Sequence, residues 1–529
     1  MSATPASVKI SNPSACERWI KSLNIDDELA AHQALVEQID ALSNCELTAL
    51  ERLRILETLK ETVDLLQAVV AKRYTGKAQP LDKADADTWQ SVVMLWWALS
   101  TNYRCCLDAY AEGDTAITQF GPLANLRCLQ MMKNMLLDYY RAYRQPPPAI
   151  WQDFNELLGI AAKRKVAHIR VQDAFVRKDP DCSCLETYVQ GLLIHLTNPY
   201  SLTVRQFGFV WRWVQKWAPL TTLSSRPPAE DPAALLVIEF VEGGPRPLAA
   251  NAPRPPGVLY LDLGRLSTEM RQTIALLKKG STPAQLGLGA DARQPGCEAL
   301  LMLLYVRLFR PEQAREDPRS PADEPGTVCF GIADAHGLIS SLAARVSSEP
   351  AVPEKRKQEM DSLALYFMKM RQTFTYKAES WRILNQSATG FMCLLREPSS
   401  AMRIQHNQLI AIQRKDSTSC RIGVVQWLKI SENNEFQCGI RLFPGEPQAI
   451  MVKPQNFKMA DRQVYEPALL LPEVTAPARP ATVSLPAGWF QEGRVIEIKD
   501  SQEKQAKLIS LVESNVDFER CTFVYTDAR

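Results

Sequence analysis

Asn385, Ser387 and Gly390 stand in the order Asn-x-Ser-x-x-Gly within "SWRILNQSATGFMCLL", residues 380–395, between two runs that alternate apolar and polar residues. Asn and Ser side chains hydrogen-bond nearby backbone groups, and Gly accepts positive φ at no steric cost, so these residues suffice for a plain turn. Aimed outward, the same amide and hydroxyl groups can read the edge of a nucleobase.

Other patterns are weaker. Gly287-Leu288-Gly289-Ala290-Asp291-Ala292 spells Gly-x-Gly-x-x-Ala, but "KKGSTPAQL" and no strand precedes it, so a simple loop is expected. "FGFVWRWVQKW" at 207–217 spaces aromatics by four residues, the pattern of a helix facing a core. The cations of "AAKRKVAHIRV" read as a solvated helix end whose charges offset the dipole. No Gly-x-Ser-x-Gly, His-Glu-x-x-His or Gly-x-x-x-x-Gly-Lys-[Ser/Thr] segment occurs, and no enzyme is expected. The 13 cysteines form no Cys-x-x-Cys pair and the five histidines stand far apart, so neither a metal nor a cofactor is expected.

A net charge of +2 argues against dedicated nucleic-acid binding. The longest dense apolar run, "VVMLWWAL" at 92–99, falls well short of the roughly 20 residues a spanning helix needs. The first residues, "MSATPASVKISNPS", lack the pattern of a secretory signal, and a cytoplasmic protein is expected.

These residues must be positioned by a chain of 529 residues, long enough for several domains. The fold class read from the pattern is a multi-domain α+β protein. Residues 1–222 read as an all-α bundle or short solenoid: Leu53, Leu56, Leu59, Val63, Leu66 and Val70 make one helical stripe. Further helices are expected from about Asp85, over 123–144, 150–162, 184–197 and 203–217. Residues 223–346 read as a mixed α/β region with a charged, proline-rich surface loop at 310–326. Residues 347–377 read as a polar linker and a helix around 359–371. From 378 the period becomes two, with short strands at the spacing of an antiparallel β-barrel over 378–460 and a C-terminal β extension over 461–529.

The order of motifs from 365 to 460 resembles PilZ domains, small six-stranded barrels that bind the bacterial second messenger cyclic di-GMP. The Asn-x-Ser-x-x-Gly turn after a first strand is followed by Gly423-Val424-Val425-Gln426-Trp427 and Gly439-Ile440-Arg441-Leu442, as in the family's Gly-x-Val-x-Trp and Gly-[Ile/Val]-x-[Phe/Leu] strands. The resemblance implies that Asn385 and Ser387 contact a guanine edge and that Gly390 permits close backbone approach. It also implies an Arg-x-x-x-Arg pair about 20 residues ahead of the turn, to grip phosphates and stack on guanines. None lies between 350 and 381, where only Lys355-Arg356-Lys357, Lys369, Arg371 and Lys377 are found, so either Arg371 or the Lys355–Lys357 cluster substitutes or the phosphate grip is lost; Arg371 and Arg382 are then the candidate cationic groups.

The resulting expectation is a non-enzymatic bacterial signalling protein. A PilZ-like module would bind cyclic di-GMP, or descend from one that did, and be coupled to a helical region that docks an unknown protein partner. The alternative is a ligand-independent adaptor or chaperone-like scaffold, suggested by the missing arginine pair.

Overall fold

The computed structural model describes residues 8–171, 182–229, 234–249, 251–310, 318–346, 376–399, 402–415, 417–455, 465–475, 478–499 and 503–526. They fall into two compact units, Met1–Lys77 with Leu81–Glu316 and Ala78–Pro80 with Asp317–Arg529.

The first unit opens with α1 (Pro13–Ser22), α2 (Glu28–Ser43), α3 (Ala49–Val70), α4 (Lys83–Glu112), α5 (Gly121–Arg141), α6 (Pro148–Lys163), α7 (Cys184–Leu196) and α8 (Val204–Trp217). Their ends follow local chemistry. Thr48 with Glu51, Ser183 with Glu186 and Thr203 with Gln206 form capping boxes that satisfy the first free amides of α3, α7 and α8. The start expected near Asp85 falls slightly earlier, because Asp82 accepts from the Asp85 amide and caps α4.

The α3 stripe from Leu53 to Val70 is buried throughout, as its spacing required. α5 is buried along most of its length, packed on α4, α6 and α7. Inside this core, Arg127 donates from Nε and Nη2 to the Glu57 carboxylate at 2.8 and 2.7 Å, and Tyr103 donates to Glu57 at 2.9 Å. Both charged side chains are essentially inaccessible to water. The aromatic run of α8 is core as expected, with Phe207, Phe209, Trp213 and Trp217 buried.

A four-stranded antiparallel sheet in the order β1–β4–β2–β3 follows, from β1 (Thr222–Ser224), β2 (Leu235–Val241), β3 (Gly244–Pro247) and β4 (Leu259–Asp262). β3 rests on α6 and α7. Helices α9 (Gly264–Lys278) and α10 (Gly296–Phe309) pack on each other, and Arg307 of α10 donates to the Thr197 carbonyl after α7 at 2.7 Å. The Gly-x-Gly-x-x-Ala segment is the loop between α9 and α10. Trp213 donates to the Leu288 carbonyl at 2.9 Å, and Arg212 pairs with Asp291 at 2.9 Å. No strand leads into it.

The second unit contains two closed six-stranded barrels. The first has the order β10–β7–β6–β5–β8–β9. Its strands are β5 (Ser320–Phe330), β6 (Glu379–Ser387), β7 (Gly390–Leu395), β8 (Leu409–Arg414), β9 (Arg421–Ile430) and β10 (Phe436–Leu442). The second has the order β11–β12–β15–β18–β17–β16. It is built from β11 (Gln448–Pro454), β12 (Glu466–Leu471), β15 (Thr482–Pro486), β16 (Val495–Lys499), β17 (Glu503–Ser514) and β18 (Phe518–Thr526); β13 (Val474–Thr475) and β14 (Ala478–Arg479) form a separate ribbon. The helix between β5 and β6, α11 (Gly331–Val346), packs on β5, β8, β11 and β12. Its Ile332, Ala335, Leu338, Ile339 and Leu342 share one core with Leu409, Ile422 and Phe443 of the first barrel region and Leu469, Leu471 and Phe518 of the second barrel.

Three expectations are corrected here. The surface loop expected over 310–326 is strand from Ser320, and that strand closes the first barrel. It escaped notice because its first half is prolines and charges. Pro321 and Pro325 pair only with β6, since β8 joins the strand from Gly326, so a missing N–H costs no second ladder there. The barrel expected over 378–460 therefore begins earlier and ends at Leu442, with β11 belonging to its neighbour. The mixed region expected over 223–346 divides, its last part from Ser320 lying in the barrel unit. The helix expected around 359–371 lies outside the described residues.

Candidate functional site: the hairpin between β6 and β7

β6 carries Trp381 and Ile383 into the barrel core, and the intervening Arg382 points to solvent. A register shift between Ile383 and Asn385 breaks this alternation before the turn. Ser387 then pairs with Gly390 across the two residues Ala388 and Thr389. Asn385, Ser387 and Gly390 are thus gathered in one tight hairpin, with Asn385 and Ser387 half-buried and the turn tip exposed.

Gly390 is required sterically. A Cβ there would lie 2.5 Å from the Ile440 carbonyl of β10, closer than any real contact. The adjoining amide of Leu442 donates to the Thr389 carbonyl at 2.9 Å, tying the turn to β10. The two later motifs interlock in the same way: Gly439 faces Trp427 across the β9–β10 ladder, where a Cβ would overlap the indole nitrogen at 1.9 Å.

Arg382 donates from Nε and Nη2 to Asp323 of β5, which holds the Asp323 carboxyl below its usual range and raises the guanidinium. It is directed along β5 and not toward Asn385. Arg371 lies outside the described residues. Asn385 instead meets a residue that the sequence reading did not consider: Arg319, which donates from Nη1 to Asn385 Oδ1 at 3.2 Å. On its other side the Asn385 amide lies 3.2 Å from Met392 Sδ.

Arg319 ends the segment Arg315-Glu316-Asp317-Pro318-Arg319, an Arg-x-x-x-Arg pair. It sits well upstream of residues 350–381, because α11 and the residues after it separate β5 from β6 in sequence. Antiparallel pairing removes that distance, setting Ser320 opposite Gln386 and Pro321 opposite Asn385. Only the β5–β6 pairing brings the end of this segment to the turn. Arg315 itself lies outside the described residues.

Arg441, directly opposite Gly390 on β10, donates to Gln426 at 3.2 Å and to Glu513 of β17 at 2.5 Å. Glu513 also pairs with Arg520 of β18 at 3.3 Å. The strand against the hairpin is therefore joined by an ion pair to the second barrel. Among the described residues no cluster of metal-ligating side chains occurs, and no helix is long and apolar enough to cross a membrane.

Comparison with known proteins bears on each part of the chain. Residues 14–229 match the family model described as "Cyclic-di-GMP receptor FimW, N-terminal domain". Residues 341–448 match "Cyclic-di-GMP receptor FimW, middle PilZ domain", and residues 452–526 match "FimW C-terminal beta-barrel domain". The cyclic-di-GMP receptor FimW of Pseudomonas aeruginosa is 21% identical over 524 residues, spanning 90% of this chain and 84% of that protein. The chain thus carries a PilZ domain in its C-terminal half, with a helical region before it and a second β-barrel after it, in the order of the FimW domain models.

Proposed function

We propose that this chain is a non-enzymatic signalling protein that binds cyclic di-GMP at the β6–β7 hairpin. Asn385 and Ser387 meet a guanine edge, Gly390 keeps β10 close behind the turn, and Arg315 with Arg319 grips the phosphates. The observation that carries this reading is the hydrogen bond from Arg319 to Asn385, which joins the last residue of the Arg-x-x-x-Arg segment to the Asn-x-Ser-x-x-Gly turn. Guanidinium groups suit the task because their planar donors bind phosphate oxygens in pairs and stack on purine faces. The name of the similar FimW receptor points the same way.

Arg319 is exposed beside the hairpin, and its Nη1 meets the neutral amide oxygen of Asn385. Arg382 is already held by Asp323 and is left a structural part. The helical region is the part assigned to a protein partner in the cytoplasm. The link from Arg441 to Glu513 offers a route by which occupancy of the hairpin biases the second barrel, provided the ligand prefers one arrangement. The scaffold alternative drew its support from an absent arginine pair, and Arg315 with Arg319 removes that support.

Titration calorimetry of the full chain with cyclic di-GMP tests the reading. Saturable heat that disappears in Asn385→Ala with Ser387→Ala is expected; no heat from the folded wild-type chain overturns it.

A further inference from the structure

The small sheet of the helical unit leaves an open groove of about 530 Å³ against α6 and the start of α7, unused by the reading above. Register explains its floor. Leu223 of β1 pairs with Leu261 of β4, and Leu259 of β4 pairs with Ile238 of β2, so these residues and Phe240, two places on, share one face of the sheet. Leu261 and Ile238 are fully covered, whereas Leu223, Leu259 and Phe240 are half-buried and line the groove. Leu158 and Ala162, one turn apart on α6, form the opposite wall.

β1 is also an edge of its sheet, pairing only with β4. Alternate residues of an antiparallel strand turn amide and carbonyl to opposite sides, so part of β1 faces away from β4, and among the described residues no backbone group meets it there. Four consecutive residues, 223–226, line the groove, so this edge runs along it. A bare edge beside an apolar groove is the arrangement that takes up an extended peptide: main-chain bonds to the edge give affinity, and alternate side chains fill the groove. Charge narrows the partner. No Asp or Glu lines the groove, and its ionisable residues are His168 and Arg226. Arg226 donates its backbone amide to Ser224 Oγ at 3.0 Å, while its exposed guanidinium meets no partner among the described residues. Lys163, one turn beyond Gly159 of the groove wall, adds another exposed cation on that face of α6.

We infer that the helical unit binds an extended, acidic segment of a partner protein in this groove. The segment adds to the free edge of β1, seats apolar side chains on Leu223, Phe240 and Leu259, and turns a carboxylate to Arg226. The inference rests on the assignment of the helical region to a protein partner and gives that partner its chemistry; it does not depend on cyclic di-GMP.

The test selects random heptapeptides displayed on phage against the full chain, then titrates the enriched peptides, synthesised with a fluorescent label, by anisotropy. Enrichment of peptides that alternate apolar residues and carry Asp or Glu is expected. Ala162→Trp, at an exposed position whose new side chain fills the groove, is expected to abolish binding. Arg226→Glu, likewise exposed, is expected to weaken it about tenfold by setting like charges together, and decides the matter should Ala162→Trp fail to fold. Methylating alternate amide nitrogens of the peptide tests the pairing with β1: one of the two sets should abolish binding and the other spare it. Calorimetry with cyclic di-GMP on the same variants should match the wild type, so failure of either reading is seen apart from the other. Peptides that bind equally to wild type and to both folded variants keep the partner assignment and overturn the groove. No enrichment, binding that survives methylation of either set, or saturable binding of decanoate where no peptide binds also overturns the inference.

Discussion

Arg319 donates a hydrogen bond to Asn385 across 66 positions of sequence, bringing the last residue of an Arg-x-x-x-Arg segment to the first residue of an Asn-x-Ser-x-x-Gly turn. Losing a charge-assisted hydrogen bond to phosphate costs about 1.5–3 kcal/mol, or roughly ten- to a hundredfold in affinity. Arg319→Ala is expected to weaken cyclic di-GMP binding by that amount. Arg382→Ala, which breaks only the exposed pair with Asp323, should change it less than about threefold. Calorimetry on both variants ranks the two arginines, and an Arg382→Ala loss exceeding that of Arg319→Ala would reverse the assignment.

Gly439→Ala is expected to destabilise the barrel unit by about 1–3 kcal/mol, because a methyl group cannot fit beneath the Trp427 ring without moving it. The cost should shrink in Gly439→Ala with Trp427→Ala, since the clash disappears with the indole. Denaturant unfolding of the two single variants and the double variant supplies the cycle.

Asp517, in the turn between β17 and β18, accepts from the Leu409 amide of the first barrel at 3.1 and 3.3 Å. Burial pushes its carboxyl up from 3.8 to about 6. The folded chain therefore keeps a proton that the unfolded chain releases between about pH 4 and pH 6. The stability this confers is fully present below about pH 4 and is lost as pH rises through 6. Asp517→Asn removes the titration. The stability difference between wild type and variant should shift against the wild type by roughly 3 kcal/mol from pH 4 to pH 7, at about 1.4 kcal/mol per pH unit. Unfolding midpoints at both pH values measure it, and a pH-independent difference would contradict the linkage.

Arg127→Met leaves Glu57 charged and buried in the helical core, and is expected to destabilise that unit by about 3–5 kcal/mol. Converting Glu57→Leu in the same chain should recover much of the loss. Far-UV circular dichroism during urea unfolding reads both.

Where local pattern and burial agree, the sequence was readable. The α3 stripe, the α8 aromatics and the alternating strands of the late barrels all follow from periods of 3.6 and 2. The hairpin residues were likewise found from their order alone. What stayed hidden depends on pairing between distant segments. Ser320–Gly326 looks like a loop because it is exposed and rich in proline and charge, and it becomes a strand only because β6 offers it a ladder. The nearness of Arg319 to the turn is hidden for the same reason, since 66 positions of sequence separate it from Asn385. The second barrel was seen as loose β structure because closure is a relation among strands, invisible in any one of them.

The strand running from Ser320 to Phe330 also bears on how the molecule can be divided. A recombinant piece trimmed to the matched PilZ span, 341–448, would discard that strand along with most of α11. β6 and β8 would then present unpaired amides and carbonyls on either side of a gap, and such bare edges recruit other chains into intermolecular sheets. Such a piece is expected to precipitate, whereas one starting ahead of Arg315 and running to the end of β18 should stay monodisperse in gel filtration.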